Sequence, residues 1–590
     1  MTRSIRLALL GVTALALSLT GCSQNSGSTA GTAAASGGSS GTGVASAATV
    51  DVIATDPARS QGPAPAVPDA TAGGTVTILR KNKISHLDPQ RVYSFAGLMN
   101  AGLISRALTG WVDQGGGRLT LVGDLATSPG SNVKGDCTQW EFTVKDGLKF
   151  EDGTPITSKE IAYGIARSFD PDLTGGPTYL QEWLAGPDYD TAWDFKANKT
   201  SLPPGLTTPD AKTIRFTFDK PRCDLPFAAS LPATSPVPPD KDTGVDYDSK
   251  PVSSGPYMIT DNTPGVQLVL DRNPNWDPAT DPIRHQYPDR FVWSFGSDAE
   301  ASANRVIADS GADQTALAWD GVPGSLVSAT VNDPALQARS LQADTPSANR
   351  LTINTERVTD INVRRALNYA IDRDGLVKTL GGPTVAAPMT TIMPDATIGF
   401  LDYDAYPAGP SGDPAKAKEV LAGATPTLVL AAGDDSTGQE TATQLKANLE
   451  KAGFTITIKN IPADDKLDET KKRDNAWDIW TDSWAADWPS GAAILPVLFD
   501  GRTIKAEGNS DTSLLNDDAL NAEFDRIQAL PPDQQASQWG PLDKRIMTDF
   551  APAVPLFVDE AYYLHGSKLG GLFVSSVFGN PSFVNAYVIG

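Results

Sequence analysis

The segment from Trp477 to Pro489, WDIWTDSWAADWP, is the part of the chain best suited to contact a small molecule. Four tryptophans stand within twelve residues, far above the ordinary use of this residue. An accessible indole ring can stack on the face of a hydroxylated solute. Two interpretations stay open here. The segment is a ligand surface, or its tryptophans belong to a core and Asp487 caps the turn that begins at Pro489.

Residues that would support catalysis or a metal site are poorly placed. The histidines have no partner at metal-ligand spacing and no H-E-x-x-H motif occurs. The carboxylate pairs are adjacent residues in polar runs, where neighbouring side chains diverge, so a general acid–base pair is not indicated. We therefore expect noncovalent binding, with no metal and no cofactor. The histidines are His86, His285 and His565, and the carboxylate pairs are Asp434–Asp435, Asp464–Asp465 and Asp517–Asp518.

The amino terminus has the pattern of an export signal. Arg3 and Arg6 precede an apolar run, Leu7 to Leu19, which is short for a helix that spans a bilayer with about 20 residues. The sequence LTGC that ends at Cys22 resembles a bacterial lipobox, which implies cleavage before this cysteine and lipid on its sulfur. We predict a lipoprotein signal peptide over residues 1–21. A plain signal peptide with a chance cysteine is the alternative.

Residues 22–72 consist mainly of Ser, Gly, Ala, Thr and Pro. Such a segment buries too little apolar surface to offset the entropy lost on ordering, so we predict a flexible tether. The remaining chain is too long for one hydrophobic core and predicts two or three lobes. With 48 basic and 70 acidic residues the net charge is −22. This charge excludes nucleic acid as an expected partner, because phosphate binding needs a basic surface.

Cysteine use agrees with export. Besides Cys22 the chain has only Cys137 and Cys223, and each lies at the margin of a predicted alternating strand. If those strands are neighbours in one sheet, their ends bring the two sulfurs within bonding distance. A disulfide would persist outside the cytoplasm. Free buried thiols are the alternative.

The stretch from Trp140 to Pro171 predicts a strand, two turns and a helix. Apolar and polar residues alternate from Trp140 to Val144, as in a half-buried strand. Two Asp-Gly pairs then supply turns, because glycine accepts a positive φ. Thr157 and Glu160 have the spacing of a capping box at the start of a helix.

The sequence of this stretch resembles the signature of solute-binding protein family 5, the solute-binding proteins of peptide- and nickel-type ABC importers. That family shows a strand, then R/K-D-G-x-x-F-x-D-G-x-P-x-T, then a helix that ends in R-x-x-D-P. Further segments resemble family patterns, although Ser254 stands where glycine is commoner. The matching residues are Lys145–Gly147, Phe150, Asp152–Pro155, Thr157, Arg167–Pro171, Ser253–Tyr257, Asp271–Trp276 and Asp360–Ile371.

The resemblance implies an α/β fold of the two-lobed periplasmic-binding-protein type, type II, of the large peptide-binding class with an extra subdomain in lobe I. Local pattern adds a βαβ unit with a parallel strand pair between Pro426 and Lys459. The predicted boundaries are 73–110 for the start of lobe I, 111–229 for its extra subdomain, 230–347 for the continuation of lobe I, 348–550 for lobe II and 551–590 for the return to lobe I.

The resemblance also implies ligand contacts. In the peptide-binding branch, the aspartate of an A-D-Y/W element pairs with the α-ammonium of the ligand, and neighbouring backbone groups pair with the peptide main chain. Asp487 matches this aspartate and Trp484 matches a wall for a ligand side chain. The backbone of Ser483 and Ala485 matches the main-chain contacts, with Trp488 beside them. Weaker candidates are Tyr179, in a segment that resembles a family cleft loop, and Tyr93 and Ser94, which follow the Leu87-Asp88-Pro89 turn.

The predicted function is capture of a short peptide by closure of two lobes and its delivery to an ABC permease with its ATPase. The protein would be monomeric and lipid-anchored at the outer face of the cell membrane. An oligosaccharide or another small solute is the alternative ligand, with the four tryptophans as stacking platforms. A secreted hydrolase and a surface receptor without transport are alternatives of other classes.

Overall fold

The computed structural model describes residues 52–115, 117–462 and 465–590. The signal peptide of residues 1–21 and Cys22 lie outside these ranges. Sheets of five, four and six strands form the frame of lobe I, its extra subdomain and lobe II, respectively. No helix in the described ranges is long and apolar enough to cross a membrane.

Within the described part of the chain, lobe I and its extra subdomain take up residues 52–337. Lobe I begins with β1 (Thr75–Arg80), α1 (Phe95–Ile104), β2 (Thr109–Asp113) and β3 (Leu119–Gly123). The subdomain contains β4 (Ser131–Asn132), β5 (Gln139–Thr143), α2 (Ser158–Arg167), α3 (Tyr179–Ala185), α4 (Tyr189–Ala192), β6 (Leu206–Thr207), β7 (Thr213–Thr217) and α5 (Leu225–Ala228). Lobe I resumes with β8 (Tyr257–Thr263), β9 (Gln267–Arg272), β10 (Arg290–Phe295), α6 (Ala299–Ala308), β11 (Ala316–Ala318), α7 (Gly324–Val331) and α8 (Pro334–Gln337).

Lobe II and the carboxyl-terminal tail follow. Lobe II contains β12 (Ser340–Ile353), α9 (Ile361–Ala370), α10 (Arg373–Leu380), β13 (Ala386–Pro388), α11 (Pro414–Leu421), β14 (Thr427–Gly433), α12 (Ser436–Lys451), β15 (Thr455–Ile461), α13 (Lys466–Thr470), β16 (Ile479–Ala485), α14 (Leu495–Phe499), α15 (Asp518–Gln528), α16 (Pro532–Asp549) and β17 (Ala553–Leu564). The tail contains β18 (Leu569–Gly570), β19 (Phe573–Val574), β20 (Pro581–Ser582) and β21 (Tyr587–Val588). Short 3-10 turns cover Pro57–Ser60, Pro232–Thr234, Gly244–Ser249, Pro278–Thr280, Gly311–Thr315, Gly491–Ala493 and Gly501–Thr503.

The sheet of lobe I has the order β11–β1–β10–β9–β8. β1 is parallel to both β10 and β11, and the other neighbours are antiparallel. Val76, Ile78 and Leu79 of β1 are fully buried. A strand covered on both faces reads as a nearly continuous apolar run, which explains this composition. α1 is capped by the Ser94 hydroxyl, which accepts from the Gly97 backbone N–H.

The extra subdomain contains the signature stretch, and its sheet has the order β4–β5–β7–β6. The predicted alternation is present, because Trp140 and Phe142 are buried while Glu141 and Thr143 are not. The predicted capping box opens α2. Thr157 Oγ1 accepts from the backbone N–H of Lys159, and the Glu160 carboxylate accepts from the Thr157 N–H at 2.9 Å.

Cys137 and Cys223 are joined by a disulfide, with 5.0 Å between their Cα atoms. The bond closes the margin of the subdomain sheet. β5 and β7 are antiparallel neighbours with Gln139 opposite Thr217. The end of β7 therefore lies beside the start of β5. This pairing brings Cys223, which follows β7, close to Cys137, which precedes β5.

The sheet of lobe II has the order β13–β17–β12–β16–β14–β15. The predicted βαβ unit is formed by β14, α12 and β15, whose two strands run parallel from Thr427 opposite Thr455 to Gly433 opposite Ile461. β12 and β17 run from one lobe into the other. Their antiparallel pairing begins at Ser340 with Leu564 and continues to Thr352 with Ala553, with a register shift after Asp344. These long strands connect the lobes.

The predicted tether does not extend to residue 72. Residues 52–72 lie against lobe I, where Ala54 N donates to Leu121 O at 2.9 Å and the Ser60 hydroxyl accepts from Gly123 N at 2.8 Å. Farther along the same segment, His285 Nε2 lies within hydrogen-bonding distance of Pro65 O, at 3.0 Å, and holds this residue against lobe I. The prediction from composition fails here because small residues leave backbone groups free to hydrogen-bond with a neighbouring strand.

Candidate ligand-binding site

The centre of the site is the carboxyl-terminal half of β16, which has one unpaired edge. β12 pairs with β16 along its whole length, from Ile353 opposite Ile479 to Ser347 opposite Ala485. On the other side β14 pairs only with the first two residues of β16. Within the described ranges no strand pairs with the residues 481–485 on that side. The backbone there can accept an added extended chain.

Asp487 follows this open edge by two residues and joins the two lobes. Its Oδ2 atom accepts hydrogen bonds from Tyr93 Oη at 2.7 Å and from Tyr179 Oη at 2.5 Å. Tyr93 belongs to lobe I and precedes α1, whereas Tyr179 is the first residue of α3 in the subdomain. The other oxygen, Oδ1, accepts nothing from the described residues. The carboxylate therefore keeps acceptor capacity for a ligand.

Burial determines the electrostatics of this carboxylate. Asp487 is 8% exposed, and burial raises the pKa of its carboxyl to about 6, although the hydroxyls of Tyr179 and Tyr93 act in the opposite direction. Burial and the nearby Asp487 also raise the pKa of both tyrosines, which therefore stay protonated donors. The hydrogen-bond partners of Asp487 among the described residues are two neutral hydroxyls, so a bound cation would supply a positive charge beside the carboxylate.

We expect the Asp487 carboxylate to lower the stability of the closed conformation, in which it is buried, above its pKa. The folded pKa of about 6 lies above the ordinary value of 3.8, so unfolding releases a proton between these values and stability falls as the pH rises. Relative to Asp487→Asn, wild type should lose about 2–3 kcal/mol of unfolding free energy between pH 4 and pH 7. Urea unfolding of both proteins at five pH values measures this difference. A pH-independent difference contradicts the assignment.

The four tryptophans of the segment differ in burial, and Trp477 is partly buried against the cluster that contains Trp480. Trp480 and Trp488 are buried to 1% exposure or less. Trp488 packs edge-on against Tyr179, with 4.8 Å between ring centroids. Trp484 is half-buried, and its indole N–H donates to Ala493 O at 2.8 Å. Trp480 and Trp488 therefore belong to the core and cannot stack on a solute, whereas part of Trp484 remains accessible.

The other predicted site residues are also near the open edge or Asp487. Ser483 is exposed and Ala485 is half-buried, both on β16. The ring of Tyr93 is 38% exposed while its hydroxyl is turned onto Asp487. Ser94 caps α1 through its hydroxyl and is not drawn into the contacts of Asp487. The structure thus brings Tyr93 and Tyr179 together at Asp487.

Trp183 is a neighbour of the site that the sequence did not indicate. It contacts Tyr179 at 5.9 Å and Trp488 at 6.5 Å between centroids. The guanidinium of Arg222 lies over the Trp183 ring, 5.5 Å from its centroid. Trp183 is four residues after Tyr179 on α3, so helical spacing was the signal that would have placed both on one face.

Metal-binding groups are not gathered in the described residues. No three His, Cys, Asp or Glu side chains there are arranged to hold an ion. His86 is engaged with Asp248 at 2.7 Å, and His285 with Asn585 at 2.9 Å. The site is therefore described by its carboxylate, its hydroxyls, its aromatic rings and its open strand edge.

Comparison with known proteins identifies the family. The model for bacterial extracellular solute-binding proteins, family 5 Middle, matches residues 120–505. The chain belongs to this family of extracellular solute-binding proteins. It is 25% identical over 499 residues to a dipeptide-binding protein of Lactococcus lactis subsp. cremoris (strain MG1363), covering 78% of this chain and 86% of that protein. It is 25% identical over 504 residues to the periplasmic murein peptide-binding protein of Escherichia coli (strain K12), covering 81% and 86%.

Solved structures share the two-lobed fold. Clavulanic acid biosynthesis oligopeptide binding protein 2 superposes with a TM-score of 0.82 at 29% identity, covering 89% of this chain and 97% of that chain. An ABC transporter-associated periplasmic binding protein of Helicobacter pylori, solved with the peptide STSA, gives a TM-score of 0.68 at 20% identity, covering 88% and 99%. The predicted family and fold class are thereby confirmed.

Proposed function

We propose that the protein binds short peptides between its lobes. The open edge of β16 that ends beside Asp487 carries this proposal. An extended peptide laid along residues 481–485 gains main-chain hydrogen bonds that do not depend on its side chains. Its terminal ammonium then reaches the Asp487 carboxylate, where three donors meet the free Oδ1 acceptor and the two tyrosine oxygens.

Closure of the lobes couples binding to a change of shape. Asp487 belongs to lobe II and its two hydroxyl partners belong to lobe I and the subdomain, so these hydrogen bonds exist only when the lobes are together. A ligand that touches both sides shifts the open–closed equilibrium by its differential affinity for the two states. We further propose that Cys22 carries a lipid anchor at the outer face of the cell membrane. The closed protein would deliver its ligand to an ABC permease and its ATPase.

Peptides should raise the melting temperature of the protein. A ligand bound only by the folded state stabilises it by about 2.7 kcal/mol at a concentration 100 times its Kd. A thermal-shift screen should therefore show increases of several degrees with di- to pentapeptides. Titration calorimetry should show binding of the same peptides, and the peptides recovered afterwards should be chemically unchanged. Gluco-oligosaccharides and Ni²⁺ serve as the comparison ligands. Stabilisation by an oligosaccharide alone, or hydrolysis of the peptide, would overturn the proposal.

A further inference from the structure

A second carboxylate, that of Asp224, is buried where the extra subdomain meets lobe II. Asp224 immediately precedes α5 and is 6% exposed. The sulfur of the preceding residue, Cys223, lies 3.5 Å from the carbonyl oxygen of Ala529, which follows α15. The side chain of Gln535 on α16 interacts with the Asp224 carboxylate itself. Residues of lobe II therefore cover this carboxylate in the closed conformation.

The apolar packing around Asp224 also joins the subdomain to lobe II. Phe227 and Ala228 of α5 belong to the same buried cluster as Phe524 of α15 and Trp539 of α16. These side chains are exposed by 3% or less. A charge held beside such a cluster loses its hydration and is costly unless a partner compensates it.

The contact between Asp224 and Gln535 is short of hydrogen-bond donors. Asp224 Oδ1 is buried without a partner among the described residues, and its side chain does not cap α5. Gln535 is 1% exposed, and its Nε2 donates to Leu530 O at 2.9 Å. Its Oε1 likewise has no partner within the described ranges. Buried oxygens are ordinarily partnered, and a protonated carboxyl has the O–H donor that a carboxylate lacks. One proton on Asp224 therefore supplies what this contact is missing.

The pKa of Asp224 is set by burial and not by a charged neighbour. Burial raises it to about 7, and the Gln535 side chain is the one group among the described residues that opposes the rise. Arg222, two residues earlier, is directed elsewhere, because its guanidinium lies over the Trp183 ring and interacts with Asp525 of α15. The charged groups around this contact are Glu182, Asp219, Lys220 and Arg222 of the subdomain and Arg502 and Asp525 of lobe II.

We propose that closure of the lobes takes up a proton at Asp224, so that peptide binding strengthens as the pH falls. The inference rests on the proposed peptide function and adds its regulation. In the open conformation the side chain returns to water and to the ordinary pKa of 3.8, whereas closure raises the pKa to about 7. The closed conformation therefore binds more protons between these values, and a falling pH favours it. Asp487 does not act in this way in the complex, because the ligand ammonium compensates its charge.

Titration calorimetry in two buffers of different ionisation enthalpy counts the protons taken up when trialanine binds. At pH 7 wild type should take up about half a proton more than Asp224→Asn. The affinity of wild type relative to the variant should rise about tenfold from pH 8 to pH 6. Titration of the peptide amino group and of the histidines is common to both proteins and cancels. Binding with equal proton uptake by both overturns the inference and leaves the peptide function intact. No peptide binding by wild type overturns both.

Two further variants locate the proton. Asp511 is also buried with its pKa raised to about 7, but it is bonded to Ser513 of its own loop in lobe II. Asp511→Asn should therefore keep the wild-type proton uptake, and a loss equal to that of Asp224→Asn contradicts an origin at the interface. Gln535→Met removes the amide that holds down the pKa of Asp224 and should raise the uptake at pH 7 above that of wild type. An uptake no greater than that of wild type contradicts the assigned proton.

Discussion

Replacing Asp487 by asparagine is expected to weaken the binding of a peptide with a free amino terminus by about 300-fold, or about 3.4 kcal/mol. The substitution keeps the shape of the side chain and removes its charge. An ammonium bound at this buried position then loses the negative charge of its carboxylate partner, while its desolvation cost remains. Titration calorimetry at pH 7.5 with one tripeptide measures the change.

The same tripeptide with an acetylated amino terminus is the control ligand. It has no ammonium, so wild type and Asp487→Asn should bind it with affinities within threefold of each other. Asp474→Asn, an exposed aspartate shortly before β16, is the control variant for the change in net charge. Equal losses for the free and acetylated peptides would show that Asp487 acts on the fold of the site and does not contact an ammonium.

The Asp487→Asn variant also separates a binding defect from damage to the fold. Burial of the carboxylate in the closed conformation raises its pKa to about 6, so at pH 7 the charge lowers the stability of that conformation. We therefore expect the variant to bind peptide more weakly and to unfold at higher urea concentration. A variant that loses peptide affinity while it gains stability is typical of a residue kept for function at the expense of stability.

Much of the fold was predictable because local signals agreed with one another. The alternation from Trp140 to Val144 gave β5, and Thr157 with Glu160 gave the capping box of α2. The βαβ unit formed by β14, α12 and β15 followed from strand and helix periodicity over a short stretch. In each case the determining interactions lie within a few residues or between adjacent elements, so the sequence contains them directly.

The site was predictable only in part. The family resemblance predicts Asp487 as a ligand contact, but the hydrogen bonds of this residue join positions 394 and 308 apart in the chain. Periodicity does not report such distant pairings. Nor does it separate Trp480, which is buried in the sheet of lobe II, from Trp484, which keeps accessible surface on the same strand. Those differences depend on which elements pack over the strand.

The order of residues 52–72 was missed for a related reason. Composition reports how much apolar surface a segment can bury by itself. These residues instead use backbone groups and short side chains against lobe I, as in the contacts of Ala54 with Leu121 and of Ser60 with Gly123. Docking of this kind depends on a preformed partner surface, which composition does not describe.

Removing the disulfide by Cys137→Ala with Cys223→Ala is expected to lower the free energy of unfolding by about 4–5 kcal/mol. The bond links residues 86 positions apart, and a cross-link that closes so long a loop removes much conformational freedom from the unfolded chain. Urea unfolding followed by tryptophan fluorescence should show a lower midpoint for the double variant, because Trp140 and Trp183 lie in the same subdomain.

The reduced wild-type protein provides the matched control for this disulfide prediction. In dithiothreitol its unfolding midpoint should fall to that of the double variant, whose own midpoint should not respond to the reductant. Peptide affinity should change much less than stability, since the two cysteines lie at the margin of the β5–β7 pair and make no contact with Asp487. A wild-type midpoint that is the same with and without reductant would show that the cross-link contributes little, and that the strand pairing and apolar packing of β5 and β7 are sufficient to hold them together.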